Sequence, residues 1–280
     1  MTTVADALGA ARAAGVERLD AQLLLAHVLG RPRVWLLAHD DAALDAPQAR
    51  AWRDLLARRA GGEPLAYLVG SQGFHGLTLR VDPRVLVPRP ETELLVDWAL
   101  ERLDSVTAHH PRVADLGTGS GAIALAVKAA CPRAELLATD VSDDALAVAR
   151  GNADALGLPI ATCRSAWWAA LDGALFDLVL SNPPYIAGGD SHLPALRHEP
   201  TLALTPGGDG LDALRAIVAG TRAHLRPGGW LLLEHGFDQA DPVQALLRAH
   251  GFEAIETRRD LAGQPRCTGG RAPDATERTG

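Results

Sequence analysis

The segment Val113-Ala114-Asp115-Leu116-Gly117-Thr118-Gly119-Ser120-Gly121-Ala122-Ile123-Ala124 constrains this chain more than any other. A short apolar run breaks into three glycines at alternate positions and resumes as an alanine-rich helical run. A strand that turns this sharply into a helix needs backbone conformations open to glycine, and the turn leaves the first N–H groups of the helix free to meet something anionic or polar. In an open sheet of parallel strands joined by helices, the space beyond the strands' carboxyl ends is where ligands bind. The next strand-like run ends at Thr139-Asp140, 23 residues after Gly117. An ionised aspartate there only accepts hydrogen bonds, which suits the two hydroxyls of a ribose.

Two cofactors fit this arithmetic. Read as Gly-x-Gly-x-x-Ala through Gly117, Gly119 and Ala122, the turn suits a dinucleotide; read as Gly-x-Gly-x-Gly, with Asp115 two residues ahead, it resembles the first motif of S-adenosylmethionine enzymes. A second element separates them. The run Phe176–Ser181 leads directly into Asn182-Pro183-Pro184-Tyr185, again at the carboxyl end of an expected strand. A planar nitrogen that must attack a methyl group needs acceptors for its two N–H bonds. The side-chain carbonyl of Asn182 supplies one and the main-chain carbonyl of Pro183 another, kept in direction by the fixed φ of proline. The ring of Tyr185 can pack on the flat target and exclude water. Methyl transfer from a sulfonium to a planar nitrogen uses all of these groups; hydride transfer uses none of them.

From residue 91 onward strand-like and helix-like runs alternate, the pattern of βαβ units in a mostly parallel sheet. Strands are expected at about 112–115, 135–139, 160–164, 176–181, 229–234, 252–257 and 265–268, with helices over 122–130, 144–156, 211–225 and 241–250. The first 70 or so residues read instead as short helices. Leu19, Leu23 and Ala26 recur at helical spacing, and Trp52, Leu55, Leu56 and Arg59 mark a helix over about 47–60, entered at Asp45 and Pro47 and left at Gly61-Gly62. Its arginines Arg50, Arg53, Arg58 and Arg59 are expected on a solvated face. Leu77–Val81 and Val85–Val87 are expected to form a hairpin around Asp82-Pro83, and Pro88–Glu93 to open a helix with Glu91 and Glu93 at its positive end. The expected division is 1–73 as a helical domain, 74–90 as a hairpin linker and 91–280 as the domain with the sheet. The stretch from Gly270 is expected to fray.

With 280 residues, 48% hydrophobic and 22% charged, the composition is that of an ordinary globular protein rather than a disordered chain. No apolar run approaches the roughly 18 residues of a membrane span, and the first residues lack a secretory signal pattern, so no membrane association and a cytoplasmic location are expected. A net charge of −7 disfavours direct clamping of nucleic-acid phosphates. Cys131, Cys163 and Cys267 lie far apart, and His109, His110, His192 and His198 lack ligand-spaced partners, so neither a disulfide framework nor a metal is expected.

Pro88-Arg89-Pro90-Glu91-Thr92-Glu93, the segment Asp115–Ala124 and Ser181-Asn182-Pro183-Pro184-Tyr185-Ile186 together resemble the HemK-type peptide chain release factor N5-glutamine methyltransferases. The resemblance continues through Glu199-Pro200, Asp209-Gly210-Leu211, Leu233-Glu234-His235-Gly236 and Asp260–Gly263. It implies an α/β fold: a seven-stranded Rossmann-like class I methyltransferase sheet whose last strand runs antiparallel, with a small N-terminal helical domain for substrate recognition, joined by a β-hairpin. It implies S-adenosyl-L-methionine bound by Gly117, Thr118, Gly119, Ser120, Gly121, Asp140, Trp167 and Asn182. It also implies a glutamine gripped by Asn182, Pro183, Pro184 and Tyr185, with Asn182 and Pro183 catalytic. The implied partner is a class 1 release factor carrying a Gly-Gly-Gln motif, met by a monomer. The chain departs from the family at Ala166, where an acid is usual before the aromatic pair, and at His198, where phenylalanine is usual. The rival readings are an adenine amino-methyltransferase, a ribosomal-protein glutamine methyltransferase, a nicotinamide dehydrogenase and a non-catalytic cofactor-binding scaffold.

Overall fold

The computed structural model describes residues 2–106 and 108–274. The chain divides into two compact units, Met1–Ser71 and Gln72–Gly280.

The first unit is helical: α1 (Val4–Ala13), α2 (Arg18–Leu29), α3 (Arg33–Ala38), α4 (Ala46–Ala60) and α5 (Leu65–Val69). Reciprocal side-chain caps start two of them, Thr3 with Asp6 on α1 and Asp45 with Gln48 on α4, each satisfying N–H groups that a helix start leaves unpaired. Val4, Leu24, Leu25, Leu36 and Trp52 form the core. The spacing of Leu19, Leu23 and Ala26 marks a helix, but only one of the three faces inward. Leu19 is 50% and Leu23 37% exposed; Ala26 is buried, on a side that also carries Ala21, Gln22, Leu24 and Leu25. This helix is apolar on more than one side, so spacing alone did not choose the inner one. On α4, Arg50, Arg53 and Arg58 are exposed, while Arg59 is partly buried and pairs with Asp20 at 2.7 Å.

The second unit opens with the hairpin of β1 (Ser71–Phe74) and β2 (Leu77–Arg80). The expected hairpin at 77–87 is thereby shifted: the reversal falls at His75-Gly76, where both residues take positive φ, 46° and 77°. Asp82-Pro83 makes a separate turn, closed by Val85 N–H on the Asp82 carbonyl at 3.1 Å, and residues 85–87 form no strand. A short 3-10 turn, Pro90–Thr92, leads into α6 (Glu93–Asp104).

There follow β3 (Arg112–Leu116), α7 (Ala122–Ala130), β4 (Glu135–Asp140), α8 (Asp143–Leu156), β5 (Ala161–Arg164), β6 (Phe176–Ser181), α9 (Thr201–Leu204), α10 (Asp212–Thr221), β7 (Leu225–Glu234), α11 (Ala240–Ala249), β8 (Glu253–Arg259) and β9 (Pro265–Arg271). Among the described residues seven strands make one sheet in the order β5-β4-β3-β6-β7-β9-β8, parallel except for β9, which runs against both neighbours. The sheet is apolar on both faces, as buried parallel strands are. Along β6 and β7, Leu178, Leu180 and Leu232 pack to one side with Trp98 and Leu125, while Val179, Leu231 and Leu233 pack to the other with Ile217 and Val243. Helix α10 ends four residues earlier than expected because Leu225 already belongs to β7.

The expectation of fraying from Gly270 is also corrected. Gly269 and Gly270 are buried strand residues, paired with Leu232 and Leu231 of β7. A Cβ on Gly269 would come within 2.8 Å of Trp98 and one on Gly270 within 3.0 Å of Phe252, so these glycines make room for two rings. The end of that expected stretch, 275–280, lies outside the described residues.

Candidate active site

Because successive connections lead from β3 toward β5 on one side and toward β7 on the other, the sheet has its topological switch between β3 and β6, and four strand ends meet there. β3 ends in the turn 117–121, where Gly117, Gly119 and Gly121 take φ of 74°, 55° and 83°, a left-handed region costly for other residues. The turn is braced from behind. Gly117 and Thr118 N–H donate to the Thr139 carbonyl at 2.9 and 2.8 Å. Fully buried Asp115 accepts from the Thr118 hydroxyl at 2.6 Å and from Ala124 N–H at 3.2 Å through Oδ2. Burial pushes Asp115 up to about 7.

β4 delivers Asp140. Its Oδ2 accepts from Gly119 N–H at 3.0 Å and its Oδ1 from Ser142 N–H at 2.9 Å, leaving lone pairs on both oxygens for further donors. Burial raises its pKa above the ordinary carboxylate value. β5 leads into a turn pinned by Ser165, whose hydroxyl donates to the Trp167 carbonyl at 2.7 Å and accepts from Ala170 N–H at 3.1 Å. This turn holds Trp167 at φ 53° with its ring over Gly117, 3.5 Å from where a Cβ would stand. Trp168 goes into the core instead: it donates to the Ile217 carbonyl at 2.9 Å and stacks on His224.

β6 delivers Asn182, and the Ser181 hydroxyl ties it to β3 through the Leu116 carbonyl at 2.6 Å. The Asn182 Nδ2 donates to Thr92 Oγ1 at 3.1 Å, which leaves Oδ1 on the opposite branch of the amide. The Tyr185 hydroxyl donates to Glu234 Oε1 at 3.3 Å, and burial raises the tyrosine's pKa. Glu234, buried at the end of β7, is pushed up to about 7 by burial. Two further contacts fix the flanking loops. Glu199 accepts from Val87 N–H at 3.0 Å and pairs with Arg89. Gly210, at φ 81°, has the Tyr185 carbonyl where a Cβ would be, and that carbonyl accepts from Gln239 Nε2 at 3.0 Å.

A cavity of about 470 Å³ lies over these strand ends, lined by Gly117, Gly119, Asp140, Val141, Ser142, Ala166, Trp167, Asn182 and Pro184 among others. A second, of about 360 Å³, is lined by Arg89, Asn182, Pro183, Tyr185, Ile186 and His192 among others. Asn182 lines both. Of the residues expected at a cofactor, Gly117, Gly119, Asp140, Trp167 and Asn182 border the first cavity. Thr118, Ser120 and Gly121 do not: Thr118 is spent on Asp115, the Ser120 carbonyl accepts from Asn152 at 2.9 Å, and Gly121 is packed on Ala149. Sequence reasoning missed Val141 and Ser142 on the wall and Thr92 and Glu234 behind it. A lone acid closing the apolar run of β7 was the available signal for Glu234.

Residues 3–70 match the family model of the PrmC N-terminal domain, and residues 92–236 match that of the methyltransferase small domain. The release factor glutamine methyltransferase of Bordetella pertussis (strain Tohama I) is 51% identical over 259 residues, which cover 91% of this chain and 95% of that one. The chain belongs to the release factor glutamine methyltransferase family. Another member, from Xylella fastidiosa (strain Temecula1), is 52% identical over 270 residues, 95% of this chain and 98% of its own. The fold of this family member is shared with the Thermus thermophilus 16S rRNA N2 G1207 methyltransferase, solved with AdoMet and guanosine. That match has a TM-score of 0.55 at 24% identity and covers 72% of this chain and 49% of that one.

Proposed function

We propose that this protein transfers a methyl group from S-adenosylmethionine to the side-chain amide nitrogen, N5, of the glutamine in the Gly-Gly-Gln motif of class 1 release factors. The observation that carries the reading is the position of Asn182 in the common wall of two cavities, one with nucleoside-binding chemistry and one with Pro183 and Tyr185.

The residues of the larger cavity fit the cofactor. Asp140 offers carboxylate lone pairs suited to ribose hydroxyls, Trp167 offers an aromatic face, and Gly117 and Gly119 keep the floor free of side chains. Bound there, S-adenosylmethionine supplies an electrophilic methyl on a sulfonium. The chain's own task is to present the nucleophile. Asn182 Oδ1 and the Pro183 carbonyl accept from the two N–H bonds of the glutamine amide, which fixes the plane of the nitrogen and aims its out-of-plane lobe along the line of attack. Tyr185 packs beside it and excludes water. The nitrogen, once it carried the methyl group, would have one proton too many; that proton would pass along one of these hydrogen bonds to solvent, since neither amide oxygen is basic enough to keep it. Such positioning accounts for much of the barrier lowering in a displacement that needs little acid–base help.

In this reading 1–73 recognises the release factor, 74–90 links, 91–280 carries the chemistry, and the enzyme works as a cytoplasmic monomer. Among the described residues no helix is long and apolar enough to cross a membrane. The test is mass spectrometry of a release factor incubated with the protein and S-adenosylmethionine. One methyl on the Gly-Gly-Gln glutamine is expected; an unmodified factor, or transfer to adenine in a nucleic acid instead, refutes the reading.

A further inference from the structure

A carboxamide can serve as acceptor for an incoming amide only if its oxygen faces forward. Turned over, Asn182 would present Nδ2, a donor, to the N–H bonds of the substrate. The two orientations have nearly the same shape, so packing alone chooses poorly between them, and the choice falls to the hydrogen-bond partner at the rear. That partner is Thr92, 4% exposed, whose Oγ1 accepts from Asn182 Nδ2 at 3.1 Å.

A hydroxyl is itself ambiguous, since it can donate or accept. If its hydrogen pointed at Asn182, the flipped amide would be favoured. Glu234 removes the ambiguity. It is 1% exposed, its carboxyl faces the Thr92 hydroxyl, Oε1 accepts from Tyr185, and Oε2 has no hydrogen-bond partner. Above about pH 7, where it is ionised, the carboxylate only accepts, so it draws the hydrogens of both hydroxyls toward itself and leaves a Thr92 lone pair for Asn182. Other charged or titratable groups facing this carboxyl are Arg266 and Cys267 from β9 and Glu91 from the 3-10 turn. Neither Thr92 nor Glu234 borders either cavity, so neither is placed to touch a ligand.

We propose that Thr92 and Glu234 are positioning residues for methyl transfer, a one-way relay in which the charge of the Glu234 carboxylate orients the Thr92 hydroxyl and Thr92, through its bond to Nδ2, keeps the Asn182 oxygen facing the substrate amide. The same carboxylate orients the Tyr185 hydroxyl. This inference rests on the function proposed above and names the residues that make its acceptor geometry hold.

Three variants test it: Thr92→Val, the same shape without the hydroxyl; Thr92→Ser, which keeps it; and Glu234→Gln, which replaces an acceptor by a group that also donates. Each is assayed at pH 8, where Glu234 is ionised, on a full-length release factor, with S-adenosylmethionine affinity measured by calorimetry and the melting temperature as a check on folding. Thr92→Val and Glu234→Gln are expected to lose about tenfold in kcat, the scale of one buried neutral hydrogen bond, with cofactor Kd unchanged and Thr92→Ser within about twofold of wild type. A readout independent of turnover is hydrogen exchange of the Asn182 side-chain amide by NMR, expected to be faster in Thr92→Val and unchanged in Thr92→Ser. Wild-type kcat in Thr92→Val, equal losses in Val and Ser, or a loss confined to cofactor Kd overturns the relay while leaving the function in place. A wild-type protein that leaves the release factor unmethylated overturns both.

Discussion

Glu234 lends itself to a quantitative experiment because one carboxyl group couples the stability of the fold to pH. Burial lifts it from the ordinary 4.5 to about 7. The native state therefore binds a proton that the unfolded chain has already released across the interval between these values, so the contribution to stability is complete below about pH 4.5 and is lost as pH rises through about 7. By this linkage the whole effect amounts to about 3 kcal/mol, most of it between pH 5 and pH 8. Glu234→Gln cannot ionise and is free of this loss. Urea unfolding of both proteins at pH 5 and pH 8 gives the difference in stability at each pH, and taking wild type minus variant cancels Asp115 and Asp140, which titrate in both. The variant is expected to gain on wild type by about 2 to 3 kcal/mol from pH 5 to pH 8. A difference that stays constant within about 0.5 kcal/mol would mean that burial does not raise the Glu234 carboxyl as described above. A variant that is more stable at pH 8 yet slower in catalysis is the combination expected of a group kept for positioning.

Three other outcomes are expected. Asn182→Ala abolishes methyl transfer while S-adenosylmethionine still binds within a few-fold of wild type, measured by calorimetry and by methylation of a release factor. Asp140→Ala weakens the cofactor by roughly 10- to 100-fold in Kd, the worth of hydrogen bonds to a charged acceptor, with the fold retained by circular dichroism. Gly210→Ala forces a Cβ onto the Tyr185 carbonyl at a positive φ and is expected to cost about 2 kcal/mol or more in urea unfolding, with kcat falling as the 182–187 segment is displaced.

The parts of the site that the sequence made legible are those whose chemistry is local. The turn 117–121, Asp140 and Asn182 each sit at the end of an apolar run, and a parallel sheet brings such ends to one side whatever the remaining details. Strand and helix order followed from the same alternation. What failed depended on partners far away in the chain. The inner face of α2 is chosen by the helices packed on it, and the chain from Gly270 read as a fraying tail because nothing nearby reveals the ring of Phe252 that occupies the missing side-chain space. The hairpin was displaced because Asp82-Pro83 is a louder turn signal than His75-Gly76. Thr92 is separated from its partner Asn182 by 90 positions, so no local pattern links them.

The sheet order carries a consequence for how the protein comes into being. β9 is made after the other six strands, yet it lies between β7 and β8. During vectorial synthesis β7 must wait with one edge bare, and β8 has no neighbour at all, until residues 265–271 emerge and slide in between. Translation that stalls short of that segment therefore leaves a sticky intermediate rather than a nearly finished enzyme, and quality-control proteases are expected to find it there.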